Sequence, residues 1–257
     1  STTNDAPASF PLGATTVTYT VTDGSGNTAT ATQVVTVVDN IDPTITAPAA
    51  VSVNVDAGVC TTALANVTLG TPTTGDNCSV ASTTNDAPAS FPLGATTVTY
   101  TVTDGSGNTA TATQVVTVVD NIDPTITAPA AVSVNVDAGV CTTALANVTL
   151  GTPTTGDNCS VASTTNDAPA SFPLGATTVT WTVTDGSGNT ATATQVVTVV
   201  DNIDPVAVAQ DISVALDANG QASIAPSDVD NGSSDNCSLT LALDITSFDC
   251  DDLGTNT

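Results

Sequence analysis

An all-β chain is predicted, built as tandem immunoglobulin-like β-sandwich domains arranged as beads on a string. Three observations predict it. Val and Thr dominate and alternate with a period of two, Gly and Pro break the alternation into short segments, and the whole pattern recurs every 81 residues. β-Branched side chains favour the pleated, half-buried surface of a strand, and short strands between turn residues point to a sandwich.

The repeat is read by self-comparison. Ser1 aligns with Ser82 and Ser163, Phe10 with Phe91 and Phe172, and Asp23 with Asp104 and Asp185. The one change before Pro205 is that Tyr19 and Tyr100 become Trp181. A period of this length exceeds a solenoid coil and matches a small domain. The expected segments are a partial repeat at 1–42, complete repeats at 43–123 and 124–204, and a divergent partial repeat at 205–257. The chain begins and stops within repeats, and it reads as an internal part of a longer protein.

Within one repeat, Val51, Val53 and Val55 alternate before the turn Asp56-Ala-Gly58. Cys60 to Leu69 is the next expected strand, and Ser79 to Thr84 a shorter one. Pro88, Pro92 and Gly94 keep the middle irregular. Val98, Tyr100 and Val102 point to one face, and Thr97, Thr99, Thr101 and Thr103 to the other. Asp104-Gly-Ser-Gly-Asn108 makes a turn, and Thr109 to Val119 the following strand, with an irregularity expected near Gln114-Val115. About seven short strands result, the hairpin Tyr100 to Val119 being the last two.

Composition excludes much chemistry. The chain has no Lys, Arg or His, and its 25 acidic residues give a net charge of −25. Nothing is present to neutralise phosphate, so nucleic acid is excluded as a partner. Triads, zinc–histidine sites and Schiff bases lack their essential residue, and the chain is not read as an enzyme. No apolar run is long enough to span a membrane. Hydrophobic residues reach 40% while charged ones are only 10%, which separates this chain from disordered acidic ones.

Phe91-Pro-Leu-Gly94, Thr97-Val-Thr-Tyr-Thr-Val-Thr-Asp104, Gly107-Asn108 and Val116-Thr-Val-Val-Asp120 together resemble the signature of the hyalin-repeat (HYR) module. The close tandem copies resemble the giant surface adhesins of Bacteroidota. The resemblance implies an extracellular, immunoglobulin-like adhesion module and supplies no active site. One departure is that members of the family often carry a Cys in the final strand, where this chain has Thr109-Ala-Thr-Ala-Thr113.

Each complete repeat has two cysteines, Cys60 and Cys78, then Cys141 and Cys159, with 17 residues between; Cys237 and Cys250 follow. A repeat is expected to close within itself, giving Cys60–Cys78, Cys141–Cys159 and Cys237–Cys250. Each bond would add about 3 kcal/mol in the chain-entropy model, a useful staple for a unit whose only aromatics are Phe91 and Tyr100. Disulfides place the protein outside the cytoplasm, in the extracellular space or at the cell surface.

The aspartates gather at the repeat junctions. Asp120-Asn-Ile-Asp123 forms the linker, copied at Asp39–Asp42 and Asp201–Asp204. In an immunoglobulin-like topology the last turn (Asp104, Ser106, Asn108; Asp185, Ser187, Asn189) should face the linker that precedes its domain. Asp76 and Asp157, each just before an Asn-Cys, are expected at the other end if the repeat's disulfide closes. Two carboxylates 5 Å apart repel by about 3 kcal/mol at an effective dielectric near 20. With no cationic side chain to offset this, Ca2+, which takes 6–8 oxygens, is the expected cofactor at the junction. Other readings stand beside it. Asp-Gly-Ser-Gly-Asn is a good hairpin turn without metal. It copies three EF-hand positions but has Thr109 where the invariant Gly belongs, so it is not an EF-hand. Solvated charges that keep a fibre soluble are the plainest reading.

The function expected is a structural repeat segment of an adhesin or filament. Its partners would be neighbouring repeats of the same chain, and other chains through lateral self-association into fibres. The alternative is a module that binds carbohydrate, ice or a partner protein; the Thr rows on one face resemble the Thr-x-Thr arrays of ice-binding surfaces, while carbohydrate would want exposed aromatics and Phe91 and Tyr100 are expected in the core. Asn66-Val-Thr68 and Asn77-Cys-Ser79 fit the N-glycosylation pattern.

Overall fold

The structure is a computed structural model and describes residues 1–254; residues 255–257, the end of the expected fourth segment, lie outside the described residues. It divides into two compact units, Ser1–Asn121 and Ile122–Thr257. Each is all-β apart from single turns of helix.

The first unit opens with a three-stranded sheet, β1 (Thr2–Asn4), β2 (Gly13–Thr22) and β3 (Thr28–Val37), in the order β1-β2-β3. A complete repeat follows. Its strands are β4 (Thr44–Thr46), β5 (Val51–Asn54), β6 (Thr61–Ala63), β7 (Thr73–Gly75), β8 (Val80–Asn85), β9 (Ser90–Pro92), β10 (Gly94–Asp104) and β11 (Thr109–Val119). β5, β11, β10 and β8 form one sheet in that order, and the pairs β4–β7 and β6–β9 make the opposing layer. β5 runs parallel to β11, and the other pairings are antiparallel.

The long hairpin follows from the residues. Thr and Val alternate through β10 and β11, and the Asp104–Asn108 turn closes them with Gly107 at φ +96°. Val98, Tyr100, Val102, Val116 and Val118 point inward and meet Phe91, Val55 and Val67 in the core. Alternating side chains on a pleated strand divide in this way between core and solvent. The outer face carries the threonines in matched rows, with Thr84, Thr101 and Thr111 side by side across β8, β10 and β11.

Two local expectations are corrected. The strand expected from Cys60 to Leu69 stops at Ala63, and a 3-10 turn occupies Leu64–Asn66. Asp56 causes this by accepting the Ala63 N–H at 2.8 Å and the Asn66 amide at 2.8 Å. The irregularity expected at Gln114-Val115 is absent, because the register runs unbroken from Gly94↔Val118 to Thr103↔Thr109. Gln114 is an inward residue with a polar head. It accepts the Tyr100 hydroxyl at 2.8 Å and donates to the Ala49 and Leu69 carbonyls at 2.6 and 2.8 Å. The register shift lies instead where Thr103 and Asp104 meet β8.

The second unit repeats this plan. Its strands are β12 (Thr125–Thr127), β13 (Val132–Asn135), β14 (Thr142–Ala144), β15 (Thr154–Gly156), β16 (Val161–Asn166), β17 (Ser171–Pro173), β18 (Gly175–Asp185) and β19 (Thr190–Val200). Trp181 takes the place of Tyr100, and its indole N–H donates to Gln195 Oε1 at 3.1 Å. The substitution therefore keeps the donor that the buried glutamine needs. The divergent segment adds β20 (Ala222–Ser223), the one-turn helix α1 (Pro226–Val229) and β21 (Ser247–Phe248), with single bridges Val206↔Ser234 and Ala209↔Asp230.

The β1–β3 sheet carries the same residues as β8, β10 and β11 but lacks an opposing layer. Tyr19 is 36% exposed where Tyr100 is 2%, and Val21 is 53% exposed where Val102 is fully buried.

Candidate functional site

The acidic clusters form where a linker meets the next repeat. In the first unit the Asp104 turn faces the Asp39–Asp42 linker, as the topology argument expects. The Asn108 amide donates to the carbonyls of Asp39 at 3.2 Å and Ile41 at 3.3 Å. Asp104 is 2% exposed and holds the turn together. Its Oδ1 accepts the Ser106 and Asn108 N–H groups at 2.9 and 2.7 Å, and its Oδ2 accepts the Asn108 amide at 2.7 Å. Burial pushes the Asp104 carboxyl up, but the Asn108 side chain and the backbone donors of Asn108, Ser106 and Gly107 outweigh it, and the pKa lies below the ordinary value. Asp185 is held in the same way by Asn189, Ser187 and Gly188, with the same result, and the Asn189 amide reaches the Ile122 carbonyl at 3.4 Å.

Asp76 belongs to this turn end too, which corrects the expectation that it lies at the far end of its repeat. Its Oδ2 accepts the N–H groups of Cys78 and Ser79 at 2.8 Å each, and Ser79 in turn accepts the Gly105 N–H at 3.0 Å. Asp39, Asp76 and Asp104 thus converge, each offering a carboxylate oxygen within 4.8 Å of the others. Asp39 Oδ2 and Asp76 Oδ1 are buried without a hydrogen-bond partner. Asn77 donates to Asp39 Oδ1 at 3.3 Å.

The second unit holds a related cluster at the linker before its divergent segment. Asp201 and Asp235 offer oxygens within 4.8 Å of each other and of the Cys237 sulfur. Asp235 Oδ2 accepts the Cys237 N–H at 2.9 Å, while its Oδ1 is buried and has no partner. Asp157 accepts the Cys159 and Ser160 N–H groups at 2.8 Å, and its Oδ1 is likewise buried and unpartnered. Asp120 is buried at the end of β11. Asp42, Asp123 and Asp204 are exposed beside the clusters and join none of them. Each directly precedes the proline that starts a repeat. Ser106 and Ser187 are exposed and contribute their backbone N–H groups to the turns.

The cysteines do not pair as expected. Cys141 is bonded to Cys237, 96 residues away, with Cα atoms 4.6 Å apart. Cys78 and Cys250 are free thiols, and Cys60 and Cys159 are disulfide-bonded. Cys60–Cys78, Cys141–Cys159 and Cys237–Cys250 therefore do not form. The hairpin is the reason. Cys60 adjoins Thr61, whose carbonyl accepts the Asp56 N–H, and the Val55 N–H donates to Val119 at the far end of β11. Cys78 is beside the Asp104 turn at the near end. Ten strand steps between Thr109 and Val119 span roughly 34 Å, whereas a disulfide needs Cα atoms about 4.4–6.8 Å apart. Cys141 and Cys159 are divided by β19 in the same way. The Cys141–Cys237 bond runs from the far end of one repeat to the Asp-Asn-Cys of the next. There the Asn236 amide also donates to the Val140 carbonyl at 3.2 Å and to Asp201 at 3.5 Å. At Cys78, the hydrogen bond to Asp39 holds the thiol above its ordinary value, with burial and the charges of Asp39, Asp76 and Asp104 acting in the same direction.

Sequence reasoning missed Gln114 and Gln195 as buried polar hubs. The signal was available, since a lone amide stands in register with an inward row of Ala and Val.

The HYR domain model matches residues 1–37, 38–118 and 119–199. Hyalin of the sea urchin Strongylocentrotus purpuratus is 40% identical over 206 residues, covering 77% of this chain and 17% of that protein. Hyalin of Lytechinus variegatus is 38% identical over 199 residues, covering 75% and 38%. The chain therefore spans well under half of either relative. Among solved structures, protocadherin gamma B7 cadherin domains 1–4 align at 12% identity and a TM-score of 0.33, covering 77% of this chain and 60% of that one. Mouse PcdhgC3 EC1-3 aligns at 13% and 0.34, covering 75% and 78%. Among the described residues, no helix is long and apolar enough to cross a membrane.

Proposed function

Because the chain belongs to the HYR domain family, we propose that it is a non-catalytic structural segment of an extracellular or cell-surface adhesin or filament, stiffened by Ca2+ where a linker meets the next repeat. The observation that carries the calcium reading is the pair of buried, unpartnered oxygens, Asp39 Oδ2 and Asp76 Oδ1, converging with Asp104 in a chain without a cationic side chain. Buried charge needs a partner, and hard divalent cations take oxygen ligands of this kind. Asp39, Asp76 and Asp104 would hold the ion in the first unit, with Asp201 and Asp235 as the corresponding pair in the second. The Cys237 sulfur is committed to its disulfide and is no ligand.

Near-identical repeats suit a stalk, in which every bead does the same work. The proposed beads are 1–42, 43–123, 124–204 and 205–257, of the kind found in large adhesins such as those of Bacteroidota, with neighbouring repeats as the first partners. The disulfide fits an oxidising compartment outside the cell.

Calcium titration followed by calorimetry and small-angle scattering tests the reading. Binding, a raised melting temperature and a longer maximum dimension are expected, all lost on chelation and weakened in D39N and D76N. No calcium-dependent change in any of the three would overturn it. The ligand-binding alternative draws on the matched Thr84, Thr101 and Thr111 rows. The aromatics of a complete repeat are buried, which removes the exposed platform that carbohydrate stacking needs. Glycan-array and ice-recrystallisation assays address this alternative.

A further inference from the structure

The Cys141–Cys237 bond closes a loop with a sequence separation of 96. Residues 142–236 lie inside it, with β14–β20, α1 and the Asp201–Asp204 linker. So do Phe172, Val179, Trp181 and Val197 of the core, against which Cys237 itself packs. Both ends of the bond are seated in fixed backbone. On one side the turn after β13 closes with Asp137 N–H to Thr142 O at 2.8 Å and Val140 N–H to Asp137 O at 3.3 Å, with Gly139 at φ +76°. The Asp137 carboxylate then holds β14 by accepting the Ala144 N–H at 2.8 Å. On the other side Asp235 Oδ2 accepts the Cys237 N–H at 2.9 Å, and the Asn236 amide reaches across to the Val140 carbonyl at 3.2 Å, next to Cys141.

Tension on a chain follows its shortest covalent path. Without the bond that path would run through β19 and the linker. β13 and β19 are parallel neighbours from Val132↔Val197 to Asn135↔Val200, so stretching would shear their hydrogen bonds and then draw out the linker, whose own hold is the Ile203 N–H to Asp201 Oδ1 at 3.1 Å. Such bonds exchange with water at small net cost, whereas the sulfur bridge is covalent. With the bond, the path leaves the backbone at Cys141 and rejoins it at Cys237. A staple that served one fold alone would close within one repeat. This one spans the linker, so the linker is what it protects.

We propose that Cys141–Cys237 is a tension bypass: when the stalk is stretched, load crosses from Cys141 to Cys237 through sulfur, and neither β14–β19 nor the linker after them carries it. The proposal deepens the stalk reading and rests on it, but it needs no calcium. The bypass withholds the length of the 96-residue loop, roughly 320–350 Å of extended chain. It also keeps the stalk continuous when the linker peptide is cut.

Composition supplies the test. The chain has no Lys or Arg, so trypsin has no site in it, and Asn202→Lys places a single one in the exposed part of the linker. The whole chain carrying N202K, with its disulfides intact and in EDTA, is cut to completion by trypsin, as shown by two fragments on a reducing gel. It is then held by both termini in optical tweezers through tags free of Lys and Arg. The cut chain is expected to run as one band on a denaturing gel without reductant, to sustain tension, and to part when dithiothreitol is added. The uncut chain should instead lengthen by at least about 320 Å on the same addition. N202K/C141S, once cut, should separate into two fragments without reductant whether or not it folds. Parting of the cut tether before reduction, or an uncut chain with the same extended length before and after reduction, would overturn the proposal. Failure of the calcium titration leaves all of these outcomes unchanged, so the two readings fail separately.

Discussion

The junction at Asp39–Asp42 and the junction at Asp201–Asp204 are built from the same linker and the same Asp-Asn-Cys-Ser string, yet they are closed differently. At the first, three carboxylates converge and Cys78 is a thiol. At the second, two carboxylates converge and Cys237 is covalently tied to Cys141. The third carboxylate comes from the turn of the β10–β11 hairpin, a part of the repeat that has no counterpart among residues 205–254. The disulfide comes from the far end of a complete preceding repeat, which residues 1–42 do not contain. A junction therefore draws on both of its neighbours, the acidic cluster on the hairpin that follows and the staple on the repeat before.

The largest expected contrast is covalent. C141S, which opens a loop of 96 residues, should destabilise the divergent segment by roughly 4–5 kcal/mol in the chain-entropy model, read as faster hydrogen exchange at the Val206, Gln210 and Asn231 amides. C78S should leave the exchange of its own repeat unchanged. Equal effects would erase the distinction between the junctions.

A second contrast sets the covered sheet against the open one. Q114A strands the Ala49 and Leu69 carbonyls and the Tyr100 hydroxyl, and should cost about 2–4 kcal/mol. Q33A, at an exposed copy of the same site, should cost under about 0.5 kcal/mol. Denaturant midpoints of the two variants check this. Smaller again, W181F removes the indole N–H donor to Gln195 and one ring of a buried side chain, and should cost about 1–2 kcal/mol, whereas W181Y should recover the part owed to the donor.

The smallest contrast is in pH. The folded Asp104 carboxyl is held below its ordinary value, so its contribution is present above the unfolded value near 3.8 and is lost as pH falls through the folded one. In metal-free buffer, the unfolding midpoint of D104N should fall less steeply below that pH than the parent's. Equal slopes would show that Asp104 titrates alike in both states.

Much of this was legible from residue order. The alternation of Val98, Tyr100 and Val102 against threonines placed β10, and the turn residues placed its partner. The facing of the Asp104 turn and the Asp39 linker followed from topology. The strand near Cys60 was overestimated because Asp56 competes for the backbone through local hydrogen bonds that periodicity does not register. Gln114 looked like a break in the pattern because a buried amide resembles a surface one until its partners, Ala49 and Leu69, are brought to it from 65 and 45 residues away.

Residue order alone determined the repeat, the β class, the hairpin and the absence of any internal cation, since each depends on neighbouring side chains or on composition. Tertiary structure decided which cysteines meet and which carboxylates converge. Cys60 and Cys78 are close in sequence but are held at opposite ends of an 11-residue strand pair, while Cys141 and Cys237 are far apart in sequence and adjacent in space. Strand length set those distances, and a rigid hairpin does not bend to suit the nearest sulfur.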